Sequence, residues 1–499
     1  MNCKPFFIGI SGESGVGKST IASIISLYLG ENTLRLSTDD LHKWERTSPQ
    51  WNKITHLNPE ANNLELGDFQ LYDLSLGRPI YRSVYNHTTG VFDPPARMEP
   101  KKYVINEGLH AFYSEAMEKL IDLKIFVDTD EDLRVHWKLI RDTEQRGYKY
   151  NSVIDAINKR KIDSIPVRDK QINSADVIIK LRTAEKIKFI GYKTEDIILT
   201  VDIEFKNEAA KLNPIFGFIQ KFMLDISSFS KIANIIGNNL ELCQNNGGNI
   251  SVKVSDSIMI IKASGYELKN IHNLNGHSIV NHKSICNSFA NKVIIDDRSL
   301  ERFVNHNATK KEYKRPSMES GFHSFLDKYV VHTHPVCLNV ILCLQNAETI
   351  LKEIYSDFMF IPYENPGFDV CKSIIDGEHD AGIYFLANHG LIVSTSSYDE
   401  ALEKSVIIND IAKLYIMKNN HNFKEFSIEF ANIEPAKDGF FYPDSAVFLD
   451  NEKIEKKEIL AAHNYIYEMA KPLGNLQFLS KENVYFLQNL ESEIYRKSL

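Results

Sequence analysis

The sequence predicts an α/β protein in two parts, each built on its own sheet, with a helical tail. Three observations predict it: apolar runs alternate with helical patterns over the first third, a second set of strand and helix signals follows a linker-like stretch at 206–213, and from 455 to 499 apolar residues recur at helical spacing among Lys and Glu. The first strand is 6–10, followed by a helix after Gly17, a second strand Leu34-Arg35-Leu36-Ser37-Thr38, and further strands at 102–106, 123–127 and near 175–180. Strands alternating with helices in this way build a parallel sheet covered by helices. The second part opens on the helical pattern 219–240 and continues with strand signals at 249–254, 258–261, 330–334, 382–386 and 391–394. A chain of 499 residues allows roughly two to four domains, and the expected division is 1–207, 216–445 and a helical extension 446–499.

Composition narrows the function classes. With 43% hydrophobic and 25% charged residues the chain is of ordinary globular type, neither collagenous, coiled-coil nor disordered. Its 58 Lys and Arg against 66 Asp and Glu give a formal charge of -8, which offers no general attraction to nucleic acid or an anionic membrane. Neither is an expected partner, so any anionic ligand must be held locally. The apolar run 330–344 is broken by His332, His334 and Asn339, and is too interrupted for a membrane helix of about 18 residues. Cys3, Cys243, Cys286, Cys337, Cys343 and Cys371 are scattered without a CxxC pair, and the start carries one Lys and a short apolar run unlike a signal peptide; both point to a reducing cytoplasm.

Gly12-Glu13-Ser14-Gly15-Val16-Gly17-Lys18-Ser19-Thr20 fits G-x-x-x-x-G-K-[ST], with a strand before it and a helix pattern after it. Gly12, Gly15 and Gly17 let backbone N–H groups wrap phosphates, Lys18 reaches the β/γ oxygens, Ser19 ligates Mg²⁺, and Thr20 continues the helix N-terminus that attracts the anion. Three carboxylates follow strands: Asp39 and Asp40 after the second, Glu107 after 102–106. Strand ends face the ligand crevice of an α/β sheet, where one carboxylate takes a proton from an acceptor hydroxyl and another orients Mg²⁺. A single Asp there is equally well a helix cap.

The texts Ser37-Thr38-Asp39-Asp40-Leu41-His42, Val84-Tyr85-Asn86-His87-Thr88-Thr89-Gly90, Asn106-Glu107-Gly108-Leu109-His110 and Trp137-Lys138-Leu139-Ile140-Arg141-Asp142 with Arg146-Gly147-Tyr148 closely resemble the phosphoribulokinase branch of the phosphoribulokinase/uridine kinase family, over about residues 5–180. The resemblance implies a P-loop NTPase-type parallel sheet domain using ATP and Mg²⁺. It makes Asp39 the catalytic base, Glu107 a metal-assisting carboxylate, and Arg46, His87, Lys138, Arg141 and Arg146 the contacts to acceptor phosphate and transition state. Clustered cations suit an already phosphorylated acceptor. Lys170-Gln171 stands where the family usually reads Pro-Gln, which leaves the acceptor open among a pentulose phosphate, another ketose or a polyol.

In the second part, His332-Thr333-His334 ends an apolar run, and i, i+2 spacing in a strand puts both imidazoles on one face. His389 follows another apolar segment. Three neutral imidazoles leave an open position on a catalytic zinc, although a His-x-His pair alone reads more readily as a core or surface pair. Gly248-Asn249-Ile250-Ser251, Ala263-Ser264-Gly265, Arg315-Pro316-Ser317-Met318-Glu319, His332-Thr333-His334-Pro335 and Asn388-His389-Gly390-Leu391 occur in the order of the class II aldolase/adducin family, which the segment 216–430 strongly resembles. That resemblance implies His332, His334 and His389 as ligands of Zn²⁺ or another divalent metal, Glu319 as the proton-shuttling carboxylate, and Asn249, Ser264, Gly265 and Ser317 around the substrate phosphate. Met318 replaces a second serine of many relatives. The tyrosine acid some members use is unassigned among Tyr442, Tyr465, Tyr467, Tyr485 and Tyr495.

Together the two resemblances imply a cytoplasmic, homo-oligomeric, bifunctional enzyme acting on a small-molecule sugar or sugar phosphate. Its first domain phosphorylates a sugar hydroxyl; its second, a class II aldolase-like α/β domain, performs metal-dependent aldol cleavage or condensation. The same metal chemistry also serves an epimerase, a dehydratase or a decarboxylase, and adducin-type relatives are non-catalytic assembly domains.

Overall fold

A computed structural model of the protein describes residues 4–87, 89–145, 147, 149–183, 199–271, 275–308, 314–377, 382–433, 439–449, 456–490 and 494. The chain divides into two compact units, Met1–Leu224 and Asp225–Leu499, at a point inside the helix Ile215–Asn238.

The first unit holds a six-stranded sheet of β1 (Phe6–Ser11), β2 (Thr33–Ser37), β3 (Tyr103–Glu107), β4 (Leu123–Thr129), β5 (Val177–Thr183) and β6 (Leu199–Phe205). The order is β6-β5-β4-β1-β3-β2. The first five run parallel. Central parallel strands are covered on both faces, which is why β1 and β3 are almost wholly buried. Phe7, Leu36, Leu71, Leu74, Val104, Phe112 and Met117 share one core cluster on the sheet. The sixth strand departs from the purely parallel expectation: β6 pairs antiparallel with β5 at the sheet edge. In Leu-Thr-Val-Asp-Ile-Glu-Phe every second side chain is exposed, so its mixed composition resembled a connection. Parallel register brings the ends of β1, β2 and β3 together, with Ile10 and Ser37 both opposite Glu107.

The second unit holds β7 (Asn249–Lys253), β8 (Ile258–Lys262), β9 (His277–Asn281), β10 (Tyr329–Thr333), β11 (Met359–Ile361), β12 (Ile383–Leu386) and β13 (Gly390–Thr395). They lie in the order β9-β8-β7-β10-β13-β12-β11, antiparallel except for β11 beside β12. One core cluster joins Met259, Ile261, Phe322, Val330, Val370 and Ile392. The apolar run after β10 is the helix Val336–Leu342, buried at all its positions and packed against the helices Tyr398–Asn419 and Lys457–Ala470. The tail is helical where expected, as Lys457–Ala470 and Lys481–Asn489. Among the described residues no helix is long and apolar enough to cross a membrane.

Candidate functional site

Each unit gathers its chemistry at one place. In the first, the loop from Gly12 to Gly17 leaves β1 and enters the helix Lys18–Leu29. Gly15 and Gly17 have φ of 91° and 90°, a region glycine enters without strain, so successive N–H groups can turn toward one anion. Thr129, at the end of β4, donates to Val16 O at 2.9 Å and steadies the loop. Lys18 Nζ rests 2.7 Å from Glu13 O. Burial lowers its pKa to about 8 against the opposing pull of Asp39 and Glu107. Lys138 Nζ lies 3.3 Å from Ser14 Oγ and 3.2 Å from Asp142, and so belongs to the P-loop side of the site. Arg134, one helical turn earlier, donates to Ser14 O at 3.2 Å and pairs with Glu131 at 2.8 Å. Sequence reading missed Arg134, whose signal was its i, i+4 spacing from Lys138. Arg141 Nε pairs with Asp142 at 3.0 Å. Arg146 lies outside the described residues.

Asp39 and Asp40 sit in the 3₁₀ turn Thr38–Leu41 but face different surroundings. Asp39 Oδ2 is 3.3 Å from His87 Nε2. Desolvation would raise its pKa, yet His87, His42 and His56 together hold the carboxyl well below the usual range. A wall of rings adjoins it: His42 lies 5.2 Å from Tyr85 and 5.6 Å from Trp51, and Trp51 stacks on His56 at 5.5 Å. Arg46 donates to His87 O at 2.6 Å. Glu107, at the end of β3, is 2.7 Å from Arg35. Asp40 instead accepts from Tyr85 N at 2.9 Å and pairs with the buried Arg82 at 3.4 Å, a structural role.

In the second unit one ring nitrogen from each of His332, His334 and His389 falls within 4.8 Å of the others. His332 is the penultimate residue of β10, His334 follows the strand, and His389 sits in the turn between β12 and β13, of which β13 pairs with β10. His332 Nδ1 donates to Leu391 O at 3.0 Å, so its Nε2 carries a lone pair, 3.2 Å from His334 Nε2. Burial, only partly offset by Glu319, pushes His332 down to about 4. Burial and then the other two rings keep His389 neutral as well. Glu319 Oε1 is 3.7 Å from His332. Its desolvation is outweighed by His332, His323 and His389, which hold it deprotonated. Around it, Ser317 Oγ accepts from Glu319 N at 3.3 Å, Ser264 N donates to Arg315 O at 2.9 Å, and Gly265 O accepts from Asn246 at 3.3 Å. Asn249 is the cross-strand partner of His332. Asn249 Oδ1, Glu319 Oε2 and His389 Nδ1 are buried without hydrogen-bond partners in the structure. Orphaned acceptors beside neutral imidazoles fit a divalent cation and an oxygen-rich ligand.

Models of two families match the sequence: the phosphoribulokinase/uridine kinase family over residues 7–188, and the class II aldolase and adducin N-terminal domain over 231–416. The chain belongs to the phosphoribulokinase/uridine kinase family through its first unit, and its second unit carries the class II aldolase-like match. Phosphoribulokinase from Synechocystis sp. is 33% identical over 219 residues, 44% of this chain and 65% of that enzyme. Uridine kinase from Ligilactobacillus salivarius is 36% identical over 156 residues, 30% of this chain and 73% of that enzyme. The chain thus spans less than two thirds of the phosphoribulokinases it matches. The structure of the N-terminal class II aldolase domain of a conserved protein from Thermoplasma acidophilum is 23% identical, covers 38% of this chain and 93% of that one, and gives a TM-score of 0.36. A kinase domain of this family uses ATP and Mg²⁺, and the class II aldolase family a divalent metal.

In the class II aldolase-like segment, His323 is a further residue that sequence reading passed over. It is fully buried, with Nδ1 2.7 Å from Ser251 Oγ and Nε2 3.9 Å from Glu319 Oε2. Its position four residues after Glu319 was the available signal. Of the tyrosines, Tyr442 donates to Ile459 O at 3.2 Å and Tyr465 is buried 3.5 Å from Cys337 Sγ. Tyr467 stacks on Phe441, Tyr485 is exposed, and Tyr495 lies outside the described residues.

Proposed function

We propose that the chain is a bifunctional sugar-phosphate enzyme: residues 1–207 phosphorylate a hydroxyl of a ketose or ketose phosphate with ATP and Mg²⁺, and residues 216–445, extended by the helical segment 446–499, cleave or condense a sugar phosphate with Zn²⁺ or another divalent metal. The observation that carries this reading is geometric: each ligand-holding motif has a buried or half-buried carboxylate beside it, Asp39 3.3 Å from His87 in the kinase domain and Glu319 3.7 Å from His332 at the histidine cluster.

In the kinase step Asp39 takes the proton of the acceptor hydroxyl as its oxygen bonds to the γ-phosphorus, and ADP leaves with the electron pair of the broken P–O bond. Lys18, with Ser19, Thr20 and the loop N–H groups, holds the nucleotide, and Lys138, Arg141 and Arg146 balance charge on the transferring group. Glu107 assists Mg²⁺, while Arg46 and His87 hold the acceptor.

In the lyase step His332, His334 and His389 hold the divalent metal, which when bound supplies Lewis-acid stabilisation to negative charge on the substrate oxygens. The C4 hydroxyl gives its proton to Glu319 as the C3–C4 bond breaks, C4 leaves as an aldehyde, and the electron pair stays with the C3 fragment. Glu319 returns a proton to that fragment, and in the reverse direction removes it. Asn249, Ser264, Gly265 and Ser317 hold the substrate phosphate. The two reactions are consecutive in this reading, the first making the phosphate ester that the second cleaves.

³¹P NMR of the full-length protein with ATP, Mg²⁺, Zn²⁺ and a panel of ketoses and ketose 5-phosphates tests it, alongside Lys18→Ala and His334→Ala. The expected result is a new sugar-phosphate resonance that requires Lys18 and is consumed only when His334 is present. A sugar phosphate that accumulates unchanged with the native protein overturns the consecutive scheme, and one converted to a single isomer replaces the lyase by an epimerase.

A further inference from the structure

We propose that Asp444, on the short helix Pro443–Phe448 beyond the family-matched segment, is a positioning residue of the metal centre that fixes the ring orientation and tautomer of His334. The proposal rests on reading the three histidines as metal ligands.

Asp444 Oδ2 lies 2.9 Å from His334 Nδ1, with 4% and 5% of the two side chains exposed. The contact is a close approach rather than an aligned hydrogen bond, since Nδ1 makes none in the structure; a carboxylate oxygen this near still favours the tautomer with its proton on Nδ1, which leaves the lone pair on Nε2, the atom 3.2 Å from His332 Nε2. His332 is set the same way by a different partner, the carbonyl of Leu391. With both protons on Nδ1 the two Nε2 atoms face each other 3.2 Å apart, an arrangement that a cation between them relieves. His334 Nδ1 makes no hydrogen bond in the structure, and metal on Nε2, by polarising the ring, would draw it into one with the adjacent carboxylate. The packing is built around this pair. A Cβ at Gly247 would sit 2.7 Å from Asp444 Oδ2 and 2.9 Å from His334 Nδ1, so the loop that leads to Asn249 passes here only as glycine. The two carboxylates, Glu319 and Asp444, also supply in a buried site the negative charge that three neutral imidazoles cannot set against a divalent cation.

The same tail segment holds a second ligand. Asn388, which precedes His389 and has a φ of 53°, donates through Nδ2 to Phe441 O and to Gln477 O, both at 2.8 Å. Asp444 is itself placed by Pro443 at the first turn of its helix, by Ser445 closing back on Tyr442, and by Tyr442 donating to Ile459 O at 3.2 Å. The tail is therefore part of the centre rather than an attachment to it.

The test uses the full chain and Zn²⁺ or Co²⁺ alone, with affinity read by competition against a coloured chelator and Co²⁺ coordination by visible absorption. Asp444→Asn should weaken metal binding by about 10- to 100-fold and shift the Co²⁺ bands while the protein stays folded. Asn464→Ala, which removes a buried amide bonded to Phe430 O and Ile433 O within the tail, should leave both readouts within about twofold of wild type. Wild-type affinity in Asp444→Asn overturns the proposal while leaving the metal site standing. Equal losses in both variants also overturn it, since the tail would then act only through stability. Absence of metal binding in the wild type overturns the metal site and this proposal together.

Discussion

Asp39 and Asp40 are consecutive acids with opposite tasks, because one meets histidines and a partly open crevice and the other meets a buried guanidinium. Asp39→Asn should lower kcat by about 10²- to 10⁴-fold, the usual range for loss of a general base, with nucleotide affinity retained. Asp40→Asn should instead destabilise the first unit by roughly 3–5 kcal/mol, since it leaves Arg82 buried without its counter-charge. Steady-state kinetics and urea unfolding of both variants separate the roles; an Asp39 variant with undiminished turnover removes it from the mechanism. Lys18 supplies a pH test. Burial lowers its pKa to about 8, so the amine is charged below that pH and loses its proton as pH rises through it. Affinity for ATP should therefore be full below about pH 8 and fall above it, whereas Lys18→Met binds weakly with a flatter profile. Titration of a fluorescent ATP analogue across pH 6.5–9.5 (~3 units around that value) checks this, and an unchanged profile in the variant assigns the pH dependence elsewhere.

At the scale of elements, what was legible in the sequence was what repeats locally or stands in a fixed order. β1, β3, β4 and β5 announced themselves as short runs with apolar centres because strands inside a parallel sheet are covered on both faces, whereas β2, at the edge, showed as Leu and Arg in alternation. β6, β9 and β11 did not: β6 alternates acids with Val and Ile at an edge, β9 reads His-Ser-Ile-Val-Asn with only two apolar residues, and β11 is only three residues long. The three histidines and Glu319 were recognisable through their family order, and the fold brings them together. Asp444 was not, because Phe441-Tyr442-Pro443-Asp444 reads locally as a turn entering a helix and nothing in the chain links it to His334 before folding. The junction of β2 and β3 shows how tightly elements constrain the site. Gly108 has a φ of 144°, and a Cβ there would collide with Thr38 Oγ1, one residue from Asp39. Gly108→Ala should cost about 2–4 kcal/mol, backbone strain and overpacking combined, and should lower kcat more than nucleotide affinity. A variant as stable and as active as wild type would show that the β2–β3 junction yields more than its packing implies.

For the whole molecule, two families in two units predict two ligand-linked stabilities that can be read apart. All three tryptophans, Trp44, Trp51 and Trp137, lie in the first unit, so tryptophan fluorescence reports unfolding of the kinase domain alone. Far-UV circular dichroism sees both units. A ligand that binds only folded protein stabilises it by about 2.7 kcal/mol at a hundredfold excess over its Kd, and for domains of this size that moves Tm by roughly 5–10 °C. ATP with Mg²⁺ should therefore raise the transition seen by fluorescence, and Zn²⁺ a transition seen by circular dichroism but not by fluorescence. Lys18→Ala should abolish the first shift and spare the second, and His334→Ala the reverse, because each removes contacts confined to one core. If Zn²⁺ instead moved the fluorescence transition by the same amount and His334→Ala removed that shift, the units would unfold as one cooperative body. Chemistry assigned to one domain would then have to be measured with the other in place.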